Sequence, residues 1–346
     1  MKLSDFDYDL PKDLIAQVPV EPRDASRMMV LHPDALIEHR HFYDLPEYFG
    51  PTDVLVFNQS KVIPARILFS GDGVDGKEYE VFFVREVEEM VWEVMVRPGR
   101  LFQKGVRVAM NADVVFEVLD VLPASEHGHR IVRVHDAQKR DRFTFLQEFG
   151  SIPLPPYIES KEAVSKYQNV YASEPGSVAA PTAGFHFTEE LLARLRAKGV
   201  QIEFLTLHVG PGTFLPVSVD TVEEHVMHEE FFLLPEDVAA RLNEAKRSGK
   251  RLISVGTTTT RVLESCMGED GIIMDQSGST KIFIYPGYRW KCIDGLITNF
   301  HLPKSTLLML VSSFAGRELV RRAYEEAVRE KYRFFSFGDG MLILQS

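Results

Sequence analysis

Cysteine is almost missing from this chain: Cys266 and Cys292 are the only two in 346 residues. Two isolated thiols exclude a disulfide-stapled scaffold and a thiolate zinc framework, and they suit a reducing cytoplasm. Long apolar runs are missing as well. The most hydrophobic stretch, LITNFHLPKSTLLMLVSSFAG, is broken by His301, Pro303 and Lys304, short of the ~20 residues a membrane span needs. The opening residues, MKLSDFDYDLPKDLIAQVP, carry acids where a signal peptide needs a basic and then an apolar run. There is no G-x-S-x-G elbow, no P-loop lysine motif and no H-E-x-x-H. Positive charge is in deficit, with a formal net charge of −11. An RNA partner would therefore have to meet a local basic surface.

What is present is organised around residues 176–188, GSVAAPTAGFHFT. No 3.6- or 2-residue period survives there. Small residues let the backbone approach a ligand, and His186 between Phe185 and Phe187 places an imidazole in an apolar setting. The same pattern also fits a buried loop whose histidine satisfies a backbone carbonyl. Thr188 reads as the N-cap of EELLARLRAKG, with Gly199 as its C-cap.

The length suits roughly two domains at ~150 residues each. Residues 1–61 and 153–346 read as a main α/β catalytic domain, a mixed sheet with flanking helices. Leu14, Ile15 and Gln17 suggest a short helix, and DVLVFNQSKV reads as a buried strand. Residues 62–152 differ in texture. Short alternating runs separated by Gly, Pro and Asn turns predict an inserted small antiparallel β-barrel domain. Gly71, Gly73 and Gly76 spell a literal G-x-G-x-x-G, but it opens a strand rather than a helix, so it reads as a hairpin turn.

In the α/β part, strands run into polar loops at the end where such sheets bind ligands. QIEFLTLHV leads to His208, Gly210, Gly212 and Thr213. RLISV leads to Gly256, Thr257, Thr258 and Arg261, a group suited to an anion or a ribose. DGLITNF passes Thr298 and Asn299 to His301 and Ser305, whose hydroxyl can cap the next helix. Together with Thr182, these make one candidate pocket. EEHVMHEEFF adds His228 and Glu230 as polar ligand contacts or as a solvated turn; its H-x-x-H spacing lacks a third metal ligand. Arg97, Arg100, Lys104 and Arg107 fall in one acid-free stretch, and Arg321 and Arg333 lie in the last expected helix, GRELVRRAYEEAVREKYRF. These are candidate RNA contacts, or simply solvated faces.

Taken together, YDLPKDLIAQVP, DVLVFNQSKVIPAR, VYASEPGSVAAPTAGFHFT, LTLHVGPGTFLPV, VGTTTTRVLES, IFIYPGY, LITNFHLPKSTLLMLVSSFAG and YRFFSFGDGML resemble the S-adenosylmethionine:tRNA ribosyltransferase-isomerase family of queuosine biosynthesis. The resemblance covers nearly the whole chain and is weakest between 62 and 152. Departures are Gln59-Ser60, Phe185, Thr259-Thr260, Phe337 and Gly340; a tyrosine hydroxyl usual in the family is lost at Phe337. The resemblance implies transfer and isomerisation of the ribosyl group of S-adenosylmethionine onto 7-aminomethyl-7-deazaguanine at the tRNA wobble position. It implies no metal and no separate cofactor, S-adenosylmethionine being a co-substrate. A monomer without membrane attachment is expected.

Such chemistry needs a base for an acidified C5′ hydrogen, for which His186 or His301 is the candidate, the other assisting adenine departure. Arg261, Thr257 and Thr258 would hold the methionine carboxylate or ribose, and Phe185 or Phe187 would face the sulfonium. His228 and Glu230 would reach ribose hydroxyls or the target amine. Two rival readings are a transferase with a small-molecule acceptor and a non-enzymatic RNA-binding protein.

Overall fold

The computed structural model describes residues 1–70, 78–123, 128–214, 217 and 219–345. The chain divides into two compact units: residues 1–61, 155–174 and 180–346, and residues 62–154 with 175–179. Strands β4 (Ser60–Val62) and β11 (Glu174–Ser177) lie where the chain passes between them, so the stretch 176–188 is shared out rather than belonging to one unit.

Among the described residues the first unit holds a nine-stranded sheet. Its spatial order is β15 (Gln276–Thr280), β13 (Glu230–Leu234), β12 (Gln201–Leu207), β3 (Asp53–Asn58), β14 (Arg251–Val255), β16 (Gly295–Asn299), β17 (Gly340–Leu344), β1 (Arg27–Leu31) and β2 (Ile37–His41). Neighbours β12, β3, β14 and β16 run parallel. Parallel strands are covered on both faces, which is why DVLVFN and GLITN are buried throughout rather than alternating. Leu55 and Phe57 of β3 pack with Leu191 and Leu195 of α2 (Glu189–Ala197) in one core that also takes in Phe42, Ile253 and Ile297.

The parallel arrangement has a chemical consequence, because the carboxyl ends of four strands share one edge. Antiparallel β13 and β17 begin at that same edge, with Gly340 opposite Asn299. β1, parallel to β17, begins there too, with Met28 opposite Gly340.

Capping chemistry sets the helices that follow. The Thr188 hydroxyl accepts the Leu191 amide at 3.1 Å at the start of α2. Beyond its end, Gly199 takes a left-handed φ of 84° that a side chain would strain. Gly256 has φ 92° where β14 turns into α4 (Thr257–Cys266). Ser305 accepts the Leu308 amide at 3.2 Å and starts α5 (Thr306–Ala315). α3 (Glu236–Arg247) and α6 (Arg317–Arg329) complete the helices of this unit. The short helix expected near residue 14 is a single 3-10 turn, Lys12–Leu14. No helix among the described residues is long and apolar enough to cross a membrane.

The second unit carries a six-stranded antiparallel sheet ordered β5 (Arg66–Ser70), β6 (Glu78–Glu88), β7 (Val91–Arg97), β10 (Arg130–Asp136), β9 (Val114–Val121) and β8 (Arg107–Ala109). Among the described residues its terminal strands β5 and β8 do not pair with each other, so the sheet is a half-barrel where a closed barrel is expected. A helix supplies the missing cover: Phe145 and Leu146 of α1 (Arg142–Phe149) enter the same core as Phe83, Trp92, Phe116 and Val132. Gly71, Gly73 and Gly76 lie outside the described residues; the strands on either side pair antiparallel, Ser70 facing Glu78.

Candidate active site

Two polar clusters sit at the shared sheet edge. The first is built around His186, which the 3-10 turn Thr182–His186 carries in beside Asn299 at the end of β16. Phe42 lies flat on the imidazole, with ring centres 3.9 Å apart and planes within 3°. The Ser26 hydroxyl donates to the Arg23 carbonyl at 2.9 Å, so its oxygen accepts from His186 Nδ1–H at 2.7 Å. That leaves Nε2 as the lone-pair nitrogen, and it accepts from Asn299 Nδ2 at 3.2 Å. The second amide hydrogen goes to the Phe335 carbonyl at 3.1 Å, and Asn299 Oδ1 accepts from the Thr182 hydroxyl at 3.3 Å. The chain of donors and acceptors closes, with both imidazole nitrogens used.

Burial pulls the pKa of His186 down to about 3, and the guanidinium groups of Arg333 and Arg23 act in the same direction. The ring is therefore neutral at pH 7. His301 follows two residues after Asn299. Its Nε2 is 2.8 Å from Thr298 Oγ1, and burial alone takes its pKa to about 3. Two tyrosines hold its backbone: the Tyr324 hydroxyl accepts from its N–H at 3.0 Å, and the Tyr8 hydroxyl donates to its carbonyl at 2.5 Å. Phe185 stacks on Phe337 at 5.4 Å, with the Arg23 guanidinium 5.2 Å from its centre. Phe187 instead points into the core, against Phe57 at 4.8 Å.

A narrow cleft of about 10 Å³, room for one water-sized group, is lined by Arg23, Ser26, Phe185, His186, Arg333 and Ser336, among others. Neither His301 nor Arg261 lines it.

The second cluster is a buried ion pair. Arg261, one turn into α4, donates through Nη1 to Glu230 Oε2 at the start of β13. Both side chains are at least nine-tenths buried. Glu230 Oε1 also accepts the Gly210 amide at 3.2 Å. Arg261 Nε and Nη2 are buried and have no hydrogen-bond partner among the described residues. A buried guanidinium with two idle nitrogens is a costly arrangement unless something else takes the protons. His208 Nδ1 is in the same condition, and burial lowers the pKa of that ring. Gly212 lies so close to His228 that an added Cβ would come 2.3 Å from its Cδ2. Thr213 belongs to the same 3-10 turn, Pro211–Phe214.

Asn58 ties the loops together at the edge. Its Nδ2 donates to the Leu207 carbonyl at 2.9 Å and to Thr258 Oγ1 at 3.2 Å, while its Oδ1 accepts the Leu207 and Ser60 amides, each at 3.0 Å. Thr257 is buried at the start of α4, one turn before Arg261. Ser305 is occupied by helix capping and by the Leu302 carbonyl at 2.8 Å.

The structure thus brings Thr182, His186 and Asn299 into one network and Gly210, Glu230 and Arg261 into another. Sequence reasoning assigned no role to Ser26, Arg23, Asn58 or Ser336. The polar clump Arg23-Asp24-Ser26-Arg27 just ahead of a fully apolar strand was the available signal. No group of three or more His, Cys, Asp or Glu side chains among the described residues is placed to hold a metal.

Of the basic residues, Lys104 pairs with Asp120 at 3.1 Å, Arg107 with Glu117 at 3.1 Å, and Arg321 with both Glu318 and Glu325. Arg97 and Arg100 are exposed and pair with no acid among the described residues. Arg333 lies in the His186 cleft.

The sequence model of a family described as "Queuosine biosynthesis protein" matches residues 3–343. Curated relatives include S-adenosylmethionine:tRNA ribosyltransferase-isomerases from Symbiobacterium thermophilum and Moorella thermoacetica. Each is 52% identical, over 99% of this chain and 100% of the relative. A crystal structure of an S-adenosylmethionine tRNA ribosyltransferase from Thermotoga maritima is similar at a TM-score of 0.56 and 39% identity, covering 99% of this chain and 100% of that one.

Proposed function

The chain belongs to the queuosine biosynthesis family, and on that premise we propose how its sheet edge performs ribosyl transfer and isomerisation from S-adenosylmethionine to tRNA. The acceptor is the amine of 7-aminomethyl-7-deazaguanine at the wobble position, and the products are epoxyqueuosine-tRNA, adenine and methionine. The observation that carries the assignment is the half-satisfied Arg261–Glu230 pair at the carboxyl ends of the parallel strands. Its idle N–H groups suit the methionine carboxylate or the ribose hydroxyls, with Thr257 and Thr258 one turn away.

The sulfonium acidifies the C5′ hydrogens. A base removes one, the electron pair moves toward the sugar, and adenine leaves. The tRNA amine then attacks the sugar, and closure of the epoxide expels methionine with its sulfur neutral again. His186 is the base. It is neutral, its lone pair is fixed on Nε2, and Asn299 must release that nitrogen when substrate arrives. A conjugate acid near pKa 3 makes a weak base; burial is the main cause, with Arg333 and Arg23 adding to it, so an anionic substrate group beside the two arginines would raise its basicity only in part. His301 assists adenine departure, and His228 with Glu230 serves ribose hydroxyls or the amine.

A wobble base leaves its stack to be modified. The antiparallel unit, read as an inserted half-barrel, offers Arg97 and Arg100 for the tRNA, with Lys104 and Arg107 nearby in sequence.

The test is incubation with S-adenosylmethionine and tRNA bearing the aminomethyl-deazaguanine, followed by mass analysis of the nucleoside. Epoxyqueuosine is expected, and its absence would end the proposal. Adenine release without tRNA would favour a small-molecule acceptor. His186→Ala is expected to lower turnover by about 10²–10⁴; near-normal turnover would remove His186 as the base.

A further inference from the structure

The cleft beside His186 has a charge composition that the assignments above leave unexplained. Two guanidinium groups, of Arg23 and Arg333, line it, and no acid does. Arg23 spends its Nη1 and Nη2 on the carbonyls of Gln168 and Lys166, at 2.9 and 2.6 Å. Glu21, two residues earlier, is held by Lys166 at 2.5 Å. Arg333 Nη1 donates to the Val18 carbonyl at 3.2 Å. Its Nη2 is buried and has no hydrogen-bond partner among the described residues.

The nearest carboxylate to Arg333 is Asp339, with Oδ1 at 3.7 Å from Nη2, too far for a hydrogen bond. Both Asp339 oxygens are taken by backbone amides, Oδ1 by Arg27 N–H at 2.9 Å and Oδ2 by Arg333 N–H at 2.8 Å. Around the same opening stand the hydroxyls of Ser26 and Ser336. Ser336 shares a 2.7 Å hydrogen bond with Tyr157. The cleft therefore holds two guanidinium groups, that of Arg333 ion-paired with Asp339 at 3.7 Å, and an Arg333 N–H without a hydrogen-bond acceptor among the described residues, with hydroxyls beside them.

We infer that this cleft is an oxyanion-binding subsite, with Arg333 Nη2 as its donor and Arg23 as its second positive charge. The inference rests on the reading of the chain as an S-adenosylmethionine- and tRNA-using enzyme, and it adds a second anion site apart from the Arg261–Glu230 pair. Its occupant is a phosphodiester of the tRNA or the carboxylate of the co-substrate, since both present paired oxygens to a guanidinium fork. Because the cleft also carries His186, the anion sits beside the imidazole and offsets the charge of the two arginines next to it.

The test uses the full chain with two variants. Arg333→Gln removes the charge and keeps an amide donor for the Val18 carbonyl. Val20→Glu places a carboxylate in the cleft lining without changing either arginine. Each is measured by calorimetric binding of S-adenosylmethionine, by binding of tRNA at several salt concentrations, and by far-UV circular dichroism to confirm folding.

If the occupant is a phosphodiester, both variants weaken tRNA on the order of tenfold. Arg333→Gln also lowers the salt slope by about one, and S-adenosylmethionine affinity stays as in the wild type. If the occupant is the carboxylate, the loss falls on S-adenosylmethionine instead, and the wild type discriminates against the decarboxylated co-substrate. Folded variants that bind both partners like the wild type overturn the subsite, even where the wild-type protein makes epoxyqueuosine. A wild type that makes none overturns the functional reading instead. Should Arg333→Gln not fold, Val20→Glu alone decides.

Discussion

The two polar clusters at the sheet edge differ in one respect that matters for chemistry. In the network of His186 both ring nitrogens have partners, in a chain from Thr182 through Asn299 and the imidazole to Ser26 and the Arg23 carbonyl, and the neighbouring Arg333 Nη2 is idle among the described residues. Around Arg261 the guanidinium satisfies one acceptor and leaves two nitrogens idle. A closed network holds groups in place and needs nothing added, whereas an open one is destabilising until a ligand completes it. On the proposed reading the first cluster fixes the tautomer of the base, and the second leaves donors open for substrate.

The largest effect belongs to the open cluster. Arg261→Met leaves Glu230 as an uncompensated buried charge, at about 3–5 kcal/mol of stability. Arg261→Met combined with Glu230→Leu removes both charges and is expected to regain most of that stability in chemical denaturation. S-adenosylmethionine binding stays weaker in both variants by about 10²–10³-fold. If binding returned together with stability in the double variant, Arg261 would be structural and the contrast between the clusters would be lost.

An intermediate effect is expected from the closed cluster. Ser26→Ala strands His186 Nδ1–H in the interior, costing about 1–3 kcal/mol, and it frees the imidazole to change tautomer. Turnover should fall while S-adenosylmethionine affinity stays near normal, and Ser26→Thr, which retains the hydroxyl, should recover most of it. An equal loss in affinity and turnover would show that Ser26 matters only for folding.

The same burial makes stability pH-dependent. An unfolded imidazole takes up a proton near 6.5, whereas folded His186 and His301 do so only near 3. The unfolded state binds more protons throughout that window, so stability present above 6.5 is lost as pH falls toward 3. Each ring contributes a slope of roughly 1 kcal/mol per pH unit. Between pH 6.5 and about 5 the ordinary carboxylates remain ionised, so denaturation at these two values reads the histidines. His301→Gln should flatten the curve, and an unchanged slope would mean that its ring protonates in the folded protein.

Much of this arrangement was readable from local pattern, because local physics produced it. LVF, LISV and LIT are largely apolar without alternation and are buried on both faces, as a covered parallel sheet requires, and each runs into polar residues at its carboxyl end. Thr188 and Ser305 cap helices as their positions suggest. The pairings that decide chemistry are long-range and have no local trace: Ser26 meets His186 across 160 residues, and Asn58 meets Thr258 across 200. Nor does alternation alone say whether a sheet closes. In the second unit FTFLQEF, whose apolar residues cover the core as a helix, does the work that strand closure would otherwise have done.

At the surface the contrast between satisfied and idle groups recurs in its weakest form. Arg107 and Arg321 already face carboxylates, at 3.1 and 2.6 Å. Arg97 and Arg100 are exposed and face none among the described residues. If idle charge marks the tRNA footprint, Arg97→Ala and Arg100→Ala should each lower the salt slope of tRNA binding by about one. Arg321→Ala should leave that slope nearly unchanged, because Glu318 and Glu325 already offset its charge locally. The footprint would have to move to the last helix if Arg321→Ala altered the slope and Arg97→Ala did not. A partner as polyanionic as tRNA would then be displacing existing ion pairs, which a screened surface pair permits at little cost.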